Sequence, residues 1–189
     1  MKVLAPHSSR GTLHGHVFEN PATGLERDLF WSLDIGLCPI TLDGEEWTSS
    51  VQIEWLTWPL GSWSDLDGKT LQEVRKNEFV ECSVYLLDQH HTIELSQLTL
   101  RLRSQTVFEG SIEGMVALPS ERGSIDLCIC GDFEVDFSGV ILVSDNFRPR
   151  LTTAEQARLA IAEFLSFDGL AKPAREDWRF LVKPMTPGL

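Results

Sequence analysis

The chain has 189 residues, a hydrophobic fraction of 42% and a formal net charge of −12 at pH 7. This length suits a single domain over residues 1–189, and the hydrophobic fraction is sufficient for a buried core. The acidic balance argues against nucleic acid and anionic membranes as partners, because both bind basic surfaces.

The first third of the chain predicts strands. Residues 1–10 are expected to form a frayed terminus. Residues 12–19 predict a strand in which His14 and His16 share one face, and residues 25–37 and 47–57 predict two more. Two histidines on one strand face could contribute to a metal site, but no third ligand is evident, so we expect ordinary surface histidines.

Residues 58–76 predict a long ordered loop with a helical turn near Leu71, because Pro59 and Gly61 interrupt any central strand. The loop carries Trp58 and Trp63. These rings have two interpretations. They could be exposed to stack on sugars or anchor a protein, or they could plug the open end of the β-structure.

The middle of the chain predicts consecutive antiparallel strands, because side chains alternate between apolar and polar. A hairpin turning at Glu121-Arg122 places Gly110 opposite Phe133, with Leu118 opposite Ile125. A shorter hairpin turns at Gln105. A turn is expected over residues 88–91, including His90 and His91, and a bulge at Ser96-Gln97.

The C-terminal part predicts a helix over residues 152–166, begun by a capping box at Thr152 or Thr153, with Ile161 and Phe164 buried. A final edge strand is expected over residues 177–183. With β-structure over residues 12–147, the predicted fold is mainly β: a twisted antiparallel sheet, sandwich or half-barrel with one long C-terminal helix packed on it.

The four cysteines predict free thiols in a cytoplasmic protein, because no signal peptide or membrane-length apolar segment is evident. Cys128 and Cys130 are expected on the strand face opposite Leu127 and Ile129. A C-x-C pair alone is a weak zinc signal, so we expect neither a metal nor a cofactor.

Acidic side chains share one face of the predicted hairpin, with Glu109 opposite Glu134. Like charges in that position destabilise a sheet. Arg101 and Arg103, a hard cation such as calcium, or a basic protein partner could offset the repulsion. The predicted binding residues are Glu109, Glu113, Asp132, Glu134, Asp136, Trp58 and Trp63.

The chain lacks a G-x-S-x-G nucleophile motif, and carboxylates on an open sheet face are poor acid–base catalysts. We therefore favour a non-enzymatic binding protein that presents the acidic face and the tryptophan-bearing loop to another protein. Bacterial toxin antagonists resemble it in composition only. The alternatives are a carbohydrate-binding β-domain that uses Trp58 and Trp63, and an enzyme with an unrecognised site.

Overall fold

The computed structural model describes residues 2–20, 22, 24–42, 44–73, 80–120 and 123–185. It is mainly β, with a curled mixed sheet that forms a half-barrel and one helix, which confirms the predicted fold class. The elements are β1 (Lys2–Leu4), β2 (Gly11–Asn20), β3 (Leu25–Gly36), β4 (Ile40–Leu42), β5 (Glu45–Trp47), β6 (Ser50–Leu56), β7 (Glu81–Leu86), β8 (Gln89–Thr92), β9 (Glu94–Ser104), β10 (Val107–Ser120), β11 (Gly123–Val143), α1 (Ala154–Ala162), β12 (Ala174–Glu176) and β13 (Arg179–Val182).

The long strand β11 organises the sheet. Its first half pairs with β10 and, in parallel, with β1. Its second half pairs with β13 and, in parallel, with β2. The other pairings are antiparallel, as predicted. The two parallel pairings were not predicted, because strands so far apart in the chain carry no hairpin turn signal. The N-terminal residues predicted to fray are therefore held against the sheet.

Beyond β11 the sheet continues in the order β2, β3, β6, β7, β8, while β9 attaches to β10. A register shift lies between Phe137 and Gly139 where β11 passes from β10 to β13. Gly139 has φ 115°, and a Cβ there would lie 2.3 Å from the carbonyl oxygen of Val182. A side chain would prevent this close approach, so glycine is required where β11 changes neighbours.

The predicted hairpin registers are confirmed. Gly110 pairs with Phe133, and Leu118 with Ile125. The shorter hairpin pairs Arg101 with Glu109. The register shift between Glu113 and Gly114 leaves Ser96 as the extra residue of β9, which is the predicted bulge. The loop residues 121 and 122 lie outside the described residues.

The long loop after β6 closes the free edge of β9. The Gly68 amide donates to the carbonyl of Leu100 at 2.9 Å, and the Leu100 amide donates to the carbonyl of Lys69 at 2.8 Å. Short 3-10 helices occupy Trp63–Leu66 and Leu71–Glu73, and the second lies at the predicted helical turn. The loop therefore behaves as an extra strand on β9 rather than as an open surface loop.

The helix α1 is nine residues long, shorter than the predicted 152–166. The capping box forms at Thr153 with Gln156, the later of the two predicted registers. After Ala162 the amides of Phe164 and Leu165 both donate to Ile161, and the Ser166 amide donates to Gly61. These bonds draw the chain away from the helix axis. Ile161 is buried as predicted, whereas Phe164 is only half-buried.

The C-terminal segment forms a hairpin rather than a single edge strand over residues 177–183. β13 pairs with β11, and β12 lies outside it. Asp177 has φ 52° and Trp178 is 53% exposed, so these two residues form the turn. No helix within the described ranges is long and apolar enough to cross a membrane.

Candidate functional site

The hairpin of β10 and β11 carries the predicted acidic residues on its outer face. Glu109 lies directly opposite Glu134, and Ser111 opposite Asp132. The intervening residues Val135 and Phe133 are buried, so the strand alternation directs the carboxylates away from the core. We define the acidic face by its predicted residues: Glu109, Glu113, Asp132, Glu134 and Asp136.

Arginines compensate one side of this face. Arg10 Nε lies 3.1 Å from Glu134 Oε2, and Arg10 Nη1 lies 3.4 Å from Asp136 Oδ1. Of the two arginines expected to offset the repulsion, Arg103 also forms an ion pair with Glu134. Arg101 lies beside Glu109 as predicted, but it forms no salt bridge among the described residues. Arg10 was missed, because the terminus carrying it was expected to fray.

The remaining carboxylates of the acidic face differ from Glu134 and Asp136 in their charge partners. In the described part of the chain, Glu109, Glu113 and Asp132 form no salt bridge, and all three are exposed. Glu109 and Asp132 line a surface groove of about 420 Å³ together with Arg101, Thr99, Gly110 and Ser111. The groove offers carboxylate and hydroxyl oxygens that can accept hydrogen bonds from ammonium or guanidinium groups.

The floor of this groove is held in place by hydroxyl groups. The Ser111 and Thr99 hydroxyls lie 2.9 Å apart, and the Gln97 amide donates to Ser111 Oγ at 3.1 Å. Ser111 N–H also donates to Thr99 Oγ1 at 3.1 Å. This network gives the groove a fixed polar surface before any ligand binds.

The two tryptophans predicted for binding are core residues. Trp58 is 4% exposed and donates its indole N–H to the carbonyl of Thr70 at 3.0 Å. Trp63 is 8% exposed and stacks on Phe137, with ring centroids 5.0 Å apart. Neither ring offers a face on which a sugar could stack. The loop therefore plugs the half-barrel, which was the second interpretation of these rings, and the exposed rings that the first interpretation required are absent at Trp58 and Trp63.

The histidine pairs differ from the prediction. His16 is packed between Phe30 and Trp55, with ring centroids 5.7 and 5.0 Å away, and burial lowers its pKa to about 4. Burial also lowers the pKa of His14. Both histidines are half-buried rather than fully exposed.

The turn that was predicted over residues 88–91 is formed by Leu87 and Asp88 instead. His90 and His91 belong to β8. His91 is buried, and its Nε2 lies 3.0 Å from the carbonyl oxygen of Leu86. Leu87 and Asp88 both have positive φ and form a tight two-residue hairpin turn. Neither is a glycine, so no signal in the sequence marked this turn type.

Trp55 was expected on the same side of its strand as Val51 and Ile53. Its φ of 64° marks a bulge that turns its ring to the outer face, where it contacts His16, Phe18 and Phe30. A bulky residue with positive φ gives no sequence signal, so this aromatic cluster was missed.

The four cysteines have free thiols. Cys128 and Cys130 lie on the face opposite the buried Leu127 and Ile129, as predicted. Burial raises the pKa of Cys82 to about 12, which suppresses the nucleophilic thiolate. Within the residues that the structure describes, no group of three or more His, Cys, Asp or Glu side chains is arranged to hold a metal ion.

Comparisons of the chain with family models, curated proteins and solved structures found no match. We therefore infer function from the geometry of the acidic face.

Proposed function

We propose that this chain is a non-enzymatic, cytoplasmic binding protein whose acidic face docks a basic surface of another protein. The observation that carries the proposal is the set of exposed carboxylates Glu109, Glu113 and Asp132, which form no salt bridge with a described arginine or lysine. Arg101 lies beside Glu109 on the β9–β10 ladder, so one cation faces three carboxylates. A cationic partner would remove the remaining repulsion and add charge-assisted hydrogen bonds. The free thiols support a reducing compartment.

The spacing of the carboxylates favours several cationic side chains over one metal ion. Glu109 and Glu113 are four residues apart on β10, which corresponds to about 13 Å along a strand. A calcium ion gathers its oxygens at about 2.3–2.6 Å, so one ion reaches only part of this row. Lysine and arginine side chains from a partner surface can pair with each carboxylate separately.

Binding fits this surface better than catalysis does. A catalytic carboxyl group normally needs burial or a close like charge to raise its pKa. Glu109, Glu113 and Asp132 project into solvent instead. The carbohydrate-binding alternative is not proposed, because the rings of Trp58 and Trp63 are buried.

Capture by matched variants tests the proposal. The site variant carries Glu109→Gln, Glu113→Gln and Asp132→Asn, which break none of the ion pairs to Arg10 or Arg103. The control variant carries Glu45→Gln, Glu46→Gln and Asp88→Asn, which change the same charge at other exposed positions. Each immobilised protein is exposed to native lysate at physiological salt, and the retained proteins are quantified by mass spectrometry.

The proposal predicts proteins that the wild-type chain and the control variant retain equally and that the site variant loses. Their release should increase with salt, because the Debye length falls to about 3 Å at 1 M. Equal retention by all three chains would show that the acidic face is only solvated surface.

A further inference from the structure

The sheet splits at Ile93. β8 pairs with β7, whereas β9, which begins one residue later, pairs with β10. The β9–β10 ladder ends at the pair of Glu94 and Met115, yet β10 continues to Ser120. Among the described residues no ladder joins β8 to this last part of β10. The two strands therefore enclose a wedge-shaped cleft that widens from Ile93.

The β8 side of the cleft is an open backbone edge. The Ile93 amide donates to the carbonyl of Cys82 at 2.8 Å, and Leu87-Asp88 forms a two-residue turn. Hydrogen-bonded and non-bonded pairs alternate along an antiparallel ladder. Residues 89 and 91 therefore bond to β7, and the N–H and C=O groups of His90 and Thr92 are directed away from it, towards the cleft.

The β10 side is open as well. The Phe137 amide donates to the carbonyl of Thr106 at 2.8 Å, which sets the alternation along the β10–β11 ladder. Even-numbered residues of β10 bond to β11, so the N–H and C=O of Ala117 are directed to the cleft. Pro119 lies on the same edge and contributes its carbonyl alone.

The side chains give the cleft a polarity. Its volume is about 600 Å³. His91 and Val116, which are 8% and 2% exposed, form its floor. Glu94 and Asp126 are exposed carboxylates at its rim. An extended chain placed here would direct one set of alternate side chains to the floor and the other set to the acidic rim.

We propose that the cleft between β8 and β10 is a strand-addition site for an extended, basic segment of a protein partner. The open edge of either strand can bond the backbone of an added strand, which is the source of affinity in β-augmentation. The rim carboxylates favour lysine or arginine on the outward-facing side of that strand. The long loop covers the edge of β9 through Lys69 and Leu100, whereas this cleft stays uncovered in the described structure.

This inference rests on the proposed function for the nature of the partner, a basic protein, but it concerns a neighbouring surface. Glu113 of the acidic face is two residues from Met115 of the cleft, or about 7 Å, whereas Asp126 and Asp132 are six residues apart on β11, or about 20 Å. The cleft would bind through backbone hydrogen bonds as well as charge, whereas the acidic face would bind through charge alone.

The test uses the full chain and a short capped peptide in which lysine alternates with valine. Binding is measured by calorimetry, and the amide resonances of His90, Thr92 and Ala117 are followed by NMR. The same peptide, N-methylated so that it cannot donate to the cleft, is the matched probe. We expect the unmodified peptide to bind and shift these three amides, and the methylated peptide to bind about tenfold more weakly or worse.

Ala117→Pro removes the edge N–H and places a ring in the cleft while leaving the ladder to β11 intact. Pro119 shows that this edge accepts proline. Ala117→Val keeps the N–H and is the control. We expect the proline variant to lose about tenfold in affinity and the valine variant to change less than about threefold. If the proline variant fails to fold, the comparison of the two peptides on the wild-type chain decides.

Three results would overturn the inference: no binding at millimolar peptide, equal binding of the methylated peptide, or equal binding by a folded Ala117→Pro chain. A wild-type dimer that this variant dissociates would also overturn it, by assigning the cleft to a second copy. The double variant Glu109→Gln, Asp132→Asn, which keeps Glu113 beside the cleft, separates the two proposals. It should retain the peptide even where it loses the captured partner.

Discussion

Glu109 and Glu134 are opposite each other on the β10–β11 ladder, and Glu134 is held by Arg10 from the segment before β2 and by Arg103 from β9. Like charges in this position would repel. The arginines neutralise Glu134, so the N-terminal segment contributes to the stability of the central hairpin.

Removing Arg10 should expose this repulsion. Arg10→Ala is expected to destabilise the protein by up to about 1 kcal/mol, since the pairs are half-exposed and partly screened. Adding Glu109→Gln should recover part of that loss. Urea unfolding of the single and double variants measures the coupling. If Glu109→Gln has the same effect with and without Arg10, the two side chains are independent.

A side chain at Gly110 should be costly. An added Cβ would lie 2.2 Å from the carbonyl oxygen of Thr99 and 2.6 Å from the Phe133 ring. Gly110→Ala should destabilise by about 1–3 kcal/mol. Gly36 in β3 has its nearest neighbour 3.7 Å away, so Gly36→Ala should be tolerated. Chemical unfolding of both variants checks this; equal stability would refute the close approach at Gly110.

The docking of α1 depends on Ile161, which is fully buried. Ile161→Ala should cost about 2–5 kcal/mol. Leu159 is 53% exposed on the same helix, so Leu159→Ala should cost less than about 0.5 kcal/mol. A thermal-unfolding comparison measures both, and a small effect at Ile161 would mean that the helix does not pack as described.

Stability should fall as the pH is lowered from 6.5 to about 4. Burial lowers the pKa of His16 to about 4 from its ordinary 6.5, and that of His14 in the same direction. The unfolded chain therefore binds more protons than the folded one in this window, and acidification favours unfolding by up to about 3 kcal/mol for His16.

The variant His16→Phe tests this origin of the pH dependence. It should reduce the slope of the curve between pH 6.5 and 4, because the aromatic packing remains and His14 is then the one of the two that still titrates. A His16 imidazole that titrates near pH 6.5 by NMR would contradict the burial of this ring.

Local patterns were the predictable part of the fold. The hairpin registers through Gly110 and Leu118 and the bulge at Ser96 follow from alternation and turns within short stretches of chain. Arg10 and Glu134 are 124 residues apart in the chain, so no local pattern in the sequence predicts their ion pair. The burial of Trp63 was one of two interpretations, but its partner Phe137 was not predicted, because it lies on a distant strand.

The site was predictable to the same extent. Alternation placed the carboxylates on one face, but their neutralisation depends on long-range contacts. The cleft between β8 and β10 was not predicted, since it arises from the change of strand partner at Ile93.

The most direct test of the acidic face is zero-length cross-linking of a captured complex with a carbodiimide, which joins carboxylates to lysines in contact. Peptide mapping by mass spectrometry then locates the joined residues. If the acidic face binds the partner, we expect cross-links from the partner's lysines to Glu109, Glu113 or Asp132, and few to Glu45 or Glu46. Cross-links confined to Glu45, Glu46 and other carboxylates outside the acidic face would contradict it.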